Sequence, residues 1–407
     1  MATATARPAS VFRSSAFARF YAGQAFSYLG DGLRTLAIPL LVFRLTGSGQ
    51  ALGLTWGLEL LPYAFVSLIA GSLGDRVDRR RLMLVCDALR FVVMALFTVL
   101  FATGHLALWM IYVGVLVLAI GGSIFLGAQT ASIPFLLGKD RAKAAVAALQ
   151  ATEQSVGLIA PPVGGMLFAI VGPLPALAVN AVTYLTSQVA IASVRTFGPE
   201  EPSGLPSLRE VAADVATGWR FLWDDRAMRL LSLASGVANF LGSIGFVTLI
   251  PYFKRAFGTG DHVIGLAFGC FAAATALGCF IAGRTHWPTG PALIVAYLAD
   301  GIGWLPLPWT NSLALAVGGV SFSGVCAGFF VTNIVAWRMR VIPEDLTGRV
   351  FGVARLLVLV GILPGSLLGG WCADHLGVRT TMLISAIGYF VFTFVIAASP
   401  TIRAERR

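Results

Sequence analysis

Apolar residues in this chain come in blocks of about twenty, separated by short polar or basic breaks, rather than in short alternating runs. The blocks fall near residues 18–44, 51–73, 82–103, 106–128, 145–171 and 174–195, then 229–250, 263–284, 288–308, 313–336, 350–373 and 379–399. A membrane-spanning α-helix needs about 20 mainly apolar residues. Twelve blocks therefore predict about twelve spanning helices, with Pro306 and Pro308 blurring the end of the ninth and leaving the count open by one.

The interval 196–228 breaks this pattern. It opens with Pro199-Glu200-Glu201-Pro202-Ser203-Gly204, a linker composition. Ser207-Leu208-Arg209-Glu210 follows as an S-x-x-E capping box, whose hydroxyl and carboxylate satisfy free amides at a helix start. Leu208, Val211, Val215, Trp219 and Leu222 then recur at helical spacing. They predict an amphipathic helix lying on the membrane surface, with a soluble linker helix as the alternative. The expected organisation is an all-α membrane protein. It divides into a six-helix bundle over 1–195, a linker over 196–228 and a second six-helix bundle over 229–407.

Composition excludes a soluble fold. Hydrophobic residues make up 57% of the 407 residues and charged residues 12%, with mean hydropathy +0.82. A soluble domain carries about 25% charged residues. The five cysteines, Cys86, Cys270, Cys279, Cys326 and Cys372, all lie in apolar stretches and form no CxxC pair, so neither disulfides nor a zinc site is expected.

The net charge of +10 could suggest nucleic acid, but its distribution follows membrane topology. The tail before the first block, the 76–81 loop, Lys139 to Lys143, the linker, Arg284, Arg338 to Arg349 and the C-terminal arginines fall on one side. The other side holds Arg44, Lys254, Arg255 and Arg379. Both termini are expected in the cytoplasm, with no nucleic-acid partner. Met1 to Arg19 is a basic tail running into an apolar block too long for a signal-peptide core.

The two halves repeat at an offset of 205. Arg79 matches Arg284, Asp140 matches Asp345, Gly164 and Gly165 match Gly369 and Gly370, Gly172 matches Gly377, and Tyr184 matches Tyr389. Such parallel halves, related about the membrane normal, are one known transporter architecture.

The strongest local signal is Gly71-Ser72-Leu73-Gly74-Asp75-Arg76-Val77-Asp78-Arg79-Arg80-Arg81, between the second and third blocks. It resembles the hallmark loop of the major facilitator superfamily, G-x-L-[AG]-D-R-x-[GD]-R-[KR], at every specified position. Glycines permit a tight helix end, and Asp75 suits the positive N-terminus of a neighbouring helix. The resemblance implies that this neighbour is the eleventh helix, beginning near Gly348. A basic loop serving topology alone would explain the arginines but not the Gly/Asp spacing.

Around the first block, Gly23-Gln24, Gly30-Asp31, Ala37-Ile38-Pro39-Leu40 and Thr46-Gly47-Ser48 look like the branch of macrolide and siderophore exporters. Leu61-Pro62 and Asp87-Ala88-Leu89-Arg90 fit the same branch. Ala160-Pro161-Pro162-Val163-Gly164-Gly165 is similar to the exporters' G-P-x-x-G-G element, with Ala160 in place of its first glycine. Pro364-Gly365 and Gly369-Gly370 echo it. Proline removes a backbone hydrogen bond and glycine removes bulk, so these are candidate bending points, with plain close packing as the alternative. Gly265, Gly269 and Ala273 offer a close-packing face on the eighth block.

A charge buried at membrane depth costs ~3 kcal/mol or more, so ionisable residues there are candidates for function. The superfamily's pattern implies that helices 1, 4, 7 and 10 line a cavity, with 2, 5, 8 and 11 beside it and 3, 6, 9 and 12 as supports. That favours Asp31, Glu59 and Glu153 as proton carriers over Asp300. Arg34 sits three residues from Asp31, so a structural ion pair competes with proton transfer there. Asp87 and Arg90 are expected to support the basic loop, with Arg355 as their partner or as a cavity residue. Gln24, Asn239 and Asn333 are candidate polar contacts for cargo.

The histidines form no H-E-x-x-H, and neither G-x-S-x-G nor Walker A occurs, so no enzyme activity, cofactor or metal is expected. The leading expectation is a monomeric, proton-driven exporter of amphipathic small molecules in a bacterial cytoplasmic membrane. A phospholipid or lysophospholipid flippase, an importer, and a non-transporting membrane sensor are the alternatives.

Overall fold

The computed structural model describes residues 11–76, 78–194, 197, 208–285, 287–343 and 346–405. Among these, every regular element is a helix. The first bundle comprises α1 (Ser15–Thr46), α2 (Gly49–Arg76), α3 (Arg79–Ala102), α4 (Leu108–Leu137), α5 (Lys139–Val171) and α6 (Pro173–Ala192). The linker helix is α7 (Leu208–Asp224). The second bundle comprises α8 (Arg226–Phe257), α9 (Asp261–Arg284), α10 (Thr289–Trp304), α11 (Leu313–Val341), α12 (Thr347–His375) and α13 (Val378–Ala398), with the short α14 (Pro400–Ala404) after it. Among the described residues, nine helices are long and apolar enough to cross a bilayer; α2, α5 and α10 complete the twelve. The ninth block resolves simply: α10 stops at Trp304, and Pro306 and Pro308 lie in the turns that follow.

The internal repeat is visible in the joints. Both α1 and α8 run 32 residues, contain one proline (Pro39 and Pro251) and end at a left-handed glycine, Gly47 or Gly258. Their starts are capped alike, Ser14 accepting from the Phe17 amide at 3.4 Å and Asp225 from the Met228 amide at 2.8 Å. Gly172 and Gly377, 205 residues apart, join α5 to α6 and α12 to α13 with φ of 81° and 89°, a region that favours glycine.

The bundles meet along two glycine-rich seams. A Cβ on Gly165 of α5 would stand 2.5 Å from Cα of Gly265 on α9. A Cβ on Gly370 of α12 would stand 2.2 Å from the carbonyl oxygen of Gly49 on α2, and one on Gly53 equally close to that of Ser366. The close-packing face expected on the eighth block is used here, with Gly265 set against Gly165 of α5. Gly164 faces α1 instead, beside the Leu33 backbone, and its repeat partner Gly369 faces Ile244 of α8.

The linker helix packs against the start of α12. Gly218 sits where a Cβ would reach 2.5 Å from the Arg349 carbonyl oxygen, and Asp214 pairs with Arg349 at 2.7 Å. Leu222 is fully buried, while Trp219 and Trp223 stack with centroids 5.0 Å apart and stay partly exposed. Ser207 of the expected capping box, Asp345 of the repeat, and the side chains of Leu208, Val211 and Gly348 lie outside the described residues, as do those of Gly71, Gly74, Asp75, Arg76, Pro161 and Pro162.

Candidate functional site

Two glycines set the position of Asp31. A Cβ on Gly30 would come within 2.0 Å of Thr183 Oγ1 on α6, and one on Gly32 within 2.4 Å of Ala160 Cβ on α5. With α6 and α5 pressed against its neighbours, Asp31 lines the cavity inside the first bundle. The Tyr184 hydroxyl of α6 donates to Asp31 Oδ1. Arg34 Nε stands 3.7 Å from the same carboxylate and Arg90 Nη1 3.8 Å.

Each arginine has a closer partner. Arg34 Nη1 pairs with Glu59 Oε1 at 2.8 Å, and Arg90 Nη2 with the fully buried Asp87. The Arg90 guanidinium is also sandwiched by aromatic faces, 4.6 Å from the Phe125 centroid and 4.5 Å from that of Tyr184. Three carboxylates thus share two guanidinium groups, and Asp31 holds the loosest pairing of the three.

This polar cavity has a volume of about 320 Å³, and Gln24, Tyr28, Tyr63, Gln129 and Glu153 complete its wall. Gln24 donates to Ser187 Oγ at 2.9 Å and Gln129 to the Tyr28 hydroxyl at 3.0 Å. Glu153 is exposed, makes no ion pair within 4.0 Å among the described residues, and lies within electrostatic range of Asp31 and Arg355. A second cavity of about 240 Å³ lies in the other bundle, walled by Phe246, Phe271, Tyr297, Asp300, Trp304 and Phe330 among others. Trp56 and Leu60 of α2 line both cavities, so the two are halves of one central cleft.

Several expectations change. Arg34 is not simply the partner of Asp31, because its side chain reaches across to Glu59 on α2. Asp87 and Arg90 belong to the cavity cluster, not to the basic loop, and Arg355 is exposed on α12 rather than paired with them. Asn239 lines the second cavity and donates to the Ser235 carbonyl at 2.9 Å; Asn333 donates to the Phe329 carbonyl at 2.8 Å and lines neither cavity. Asp300, set aside as a residue of a supporting helix, lines the second cavity.

For Arg90, and for the Tyr389 and Trp304 rings around the second cavity, glycines on the inner helices make the room. Gly121 of α4 lies against the aliphatic part of Arg90, its Cβ position 3.4 Å from Cγ. Gly242 and Gly245 of α8 admit the Tyr389 hydroxyl and the Trp304 ring, with Cβ positions 2.9 and 2.7 Å away. Side chains of outer helices reach the cleft through these gaps.

In the hallmark loop, Asp78 caps α3 by accepting from the Arg81 amide at 3.1 Å. Arg80 donates to the Val194 and Ala192 carbonyls at 3.0 and 2.7 Å, tying the loop to the end of α6. Arg79 is buried, its guanidinium 4.5 Å from the Phe135 centroid.

The end of the molecule opposite this loop is sealed. Asp261, at the start of α9, holds Arg44 of α1 at 2.9 Å and Lys254 of α8 at 2.6 Å. Asp374, near the end of α12, accepts from Ser48 Oγ at 2.7 Å, from the Gly49 and Gln50 amides at 2.8 and 2.9 Å, and from Arg255 at 2.8 Å. Arg255 also donates to the Gly47 carbonyl at 2.6 Å. Among the described residues, every hydrogen bond between the two bundles lies at this end. None of these latch residues stood out in the sequence as a site.

Two six-helix bundles around one cleft, latched at one end, define a secondary membrane transporter. The chain belongs to the transmembrane secretion effector family of the major facilitator superfamily, whose model matches residues 6–406. Among curated relatives, the multidrug efflux pump Tap of Mycobacterium tuberculosis (strain ATCC 25618 / H37Rv) is 25% identical over 391 residues, covering 92% of this chain and 91% of the pump. Macrolide efflux protein A of Streptococcus pyogenes is 23% identical over 389 residues, covering 91% and 92%.

A solved bacterial homologue of the human lysosomal transporter Spinster, inward-facing and unoccupied, superposes with a TM-score of 0.72 at 15% identity, covering 99% of each chain. A nucleoside transporter structure gives 0.71 at 12%, covering 94% of this chain and 98% of its own. These two likenesses establish the fold. The expected superfamily and the all-α, two-bundle architecture are borne out, and the family is one of transporters rather than enzymes.

Proposed function

We propose that this protein exports amphipathic small molecules across the cytoplasmic membrane in exchange for protons, by rocking its two bundles about the glycine seams. One observation carries the reading: a charged cavity and an aromatic cavity open onto each other across Trp56 and Leu60. An amphipathic molecule can place its polar part against one wall and its apolar body against the other. The naming of relatives as multidrug and macrolide efflux pumps supports a drug-like cargo and an outward direction.

Proton coupling follows from the charge balance of the first cavity. With three carboxylates on two guanidinium groups, the cluster is neutral once it takes up one proton, and neutrality is favoured at membrane depth. Asp31 is the group to take it. Glu59 and Asp87 each contact an arginine closely, whereas Asp31 keeps its arginines at 3.7 and 3.8 Å and has a side chain 30% exposed to the cleft. Glu153, exposed beside it, is suited to pass protons to and from the cleft. By the positive-inside rule the basic loops and both termini face the cytoplasm, so the latched end faces outward. A single chain encloses the whole cleft, and a monomer suffices.

The test is proton-gradient-driven export in proteoliposomes. Asp31→Asn should abolish accumulation against a gradient and leave downhill exchange intact. Normal uphill export by Asp31→Asn would remove Asp31 from the mechanism and move the role to Glu153.

A further inference from the structure

The second cavity contains a carboxylate whose role the proposed proton exchange does not require. Asp300 is buried on α10, and its Oδ1 accepts from Trp304 Nε1 at 3.1 Å and from Ser323 Oγ at 2.5 Å. The Tyr389 hydroxyl lies within hydrogen-bonding reach as well. Both donors to the carboxylate are neutral, since the Tyr389 hydroxyl gives its one proton to the Ala238 carbonyl. Among the described residues, no arginine, lysine or histidine comes within 4.0 Å of this carboxylate, in contrast to Asp31, Glu59 and Asp87 in the first bundle.

What surrounds Asp300 is aromatic. The cavity wall includes Trp56, Phe246, Phe271, Tyr297, Trp304 and Phe330, and among its described residues Asp300 alone carries a formal charge at neutral pH. The rings brace one another: Trp56 meets Phe246 edge-on at 5.3 Å, and Tyr297 lies 5.0 Å from Phe330. A second observation is independent of the carboxylate. The Tyr297 hydroxyl, in a residue only 3% exposed, lines the same cavity and has no hydrogen-bond partner among the described residues. A buried hydroxyl left unpaired is costly unless something that enters the cavity satisfies it.

We propose that the cavity of the second bundle is a binding subsite for the positively charged end of an organic cation, with Asp300 as its counter-charge and the aromatic rings as its walls. This rests on the reading that the cleft holds cargo. Neutral donors steady a carboxylate but leave its net charge in place, whereas a bound cation cancels it. Ring faces attract the same cation through their quadrupoles, and exclusion of water strengthens both effects. Ammonium groups carrying N–H bonds can also donate to the Tyr297 oxygen. The molecule's apolar part then extends past Trp56 and Leu60 toward the first bundle, so the charge is read on α10 and the proton on α1.

The experiment uses the full chain in lipid nanodiscs and two probes of equal size, 4-phenylbutyltrimethylammonium and its neutral tert-butyl carbon isostere, with binding followed by tryptophan fluorescence. The wild-type protein should prefer the cation by about tenfold or more, and Asp300→Asn, which keeps an oxygen acceptor for Trp304 and Ser323, should abolish that preference while still binding the isostere. Asp300→Glu should retain it. Phe330→Leu leaves the carboxylate untouched and should weaken the cation more than the isostere, so it tests the site even if Asp300→Asn fails to fold. Equal binding of both probes to the wild-type protein would overturn the proposal. So would a preference that survives Asp300→Asn, or one lost in Asp31→Asn, which would place the cation in the first bundle. Failure of the export reading is seen separately, as absent proton-driven efflux of neutral amphipaths by wild-type proteoliposomes.

Discussion

Removing the Asp374 side chain should open the latched end. Its carboxylate receives four hydrogen bonds, from Ser48, the Gly49 and Gln50 amides and Arg255, and three of these tie α12 of one bundle to the start of α2 in the other. Hydrogen bonds to a charged group contribute roughly 1.5–3 kcal/mol each when buried. Asp374 and Arg255 are partly open to solvent, at 17% and 36% side-chain exposure, so the upper part of that range does not apply. The two amides gain water on opening, which offsets part of their loss.

A net destabilisation of the latched state of about 2.7 kcal/mol is a reasonable central figure, half of the ~5.5 kcal/mol that takes a two-state population from 99:1 to 1:99. A loss of that size takes a 99:1 population to near parity, so Asp374→Ala should raise the ratio of unlatched to latched protein by about a hundredfold. Spin labels at His105 and Trp309, both exposed and on opposite bundles at this end, would report it as a second, longer distance by pulsed electron resonance. The five native cysteines must first be replaced. A distance distribution identical to that of the parent protein would refute the reasoning and leave Asp261 with Arg44 and Lys254 as the latch.

Other expectations follow from the same contacts. Arg34→Gln and Glu59→Gln should each lower stability by about 3–5 kcal/mol, because each leaves a buried charge without its partner; thermal unfolding in detergent should show most of the loss recovered in the double variant. Gly165→Leu should destabilise by about 1–3 kcal/mol or more by driving a side chain into the Gly265 backbone, while Gly157→Leu on the same helix, where a Cβ meets nothing within 4 Å, should leave the melting temperature near that of the parent. In a transport assay, Asp31→Asn should separate uphill export, which is lost, from downhill exchange, which persists.

Much of the fold was legible because a bilayer forces its pattern on the chain. Twelve apolar blocks gave the spanning helices, and the 205-residue repeat correctly paired Gly172 with Gly377 at two positive-φ joints. Parts of the site were legible too: Asp31, Arg34, Glu59, Glu153 and Gln24 all line one cavity. What escaped was set by directions that a linear pattern does not carry. Arg34 lies one turn from Asp31, yet its closest carboxylate is on α2, 25 positions away. Asp87, Arg90 and Asp300 lie on helices that the superfamily's layer rule treats as supports, and for Arg90 it is Gly121 on α4 that leaves room for its side chain. A signal did exist: Asp87 and Arg90 form an i,i+3 pair inside an apolar block, where charges are costly unless they pair. The latch was hidden because Asp374 and Asp261 sit at helix ends, where a carboxylate is unremarkable until its partner on the other bundle is known.

The two bundles share a scaffold and differ in what it carries. Tyr184 and Tyr389 occupy equivalent places, but the first donates to a carboxylate and the second to the Ala238 carbonyl. Charge is concentrated in the first bundle and aromatic surface in the second, so one cleft can hold two kinds of chemistry without either neutralising the other. The seams explain how such a cleft can change access. Where Gly165 meets Gly265 and Gly370 meets Gly49, backbones touch with no side chains interlocked between them. In the proposed rocking motion these close backbone contacts are the pivots, while the carboxylate latches beside them give the closed end a discrete stabilisation. On that proposal, the energy separating the two states rests in a few breakable polar contacts at the latched end.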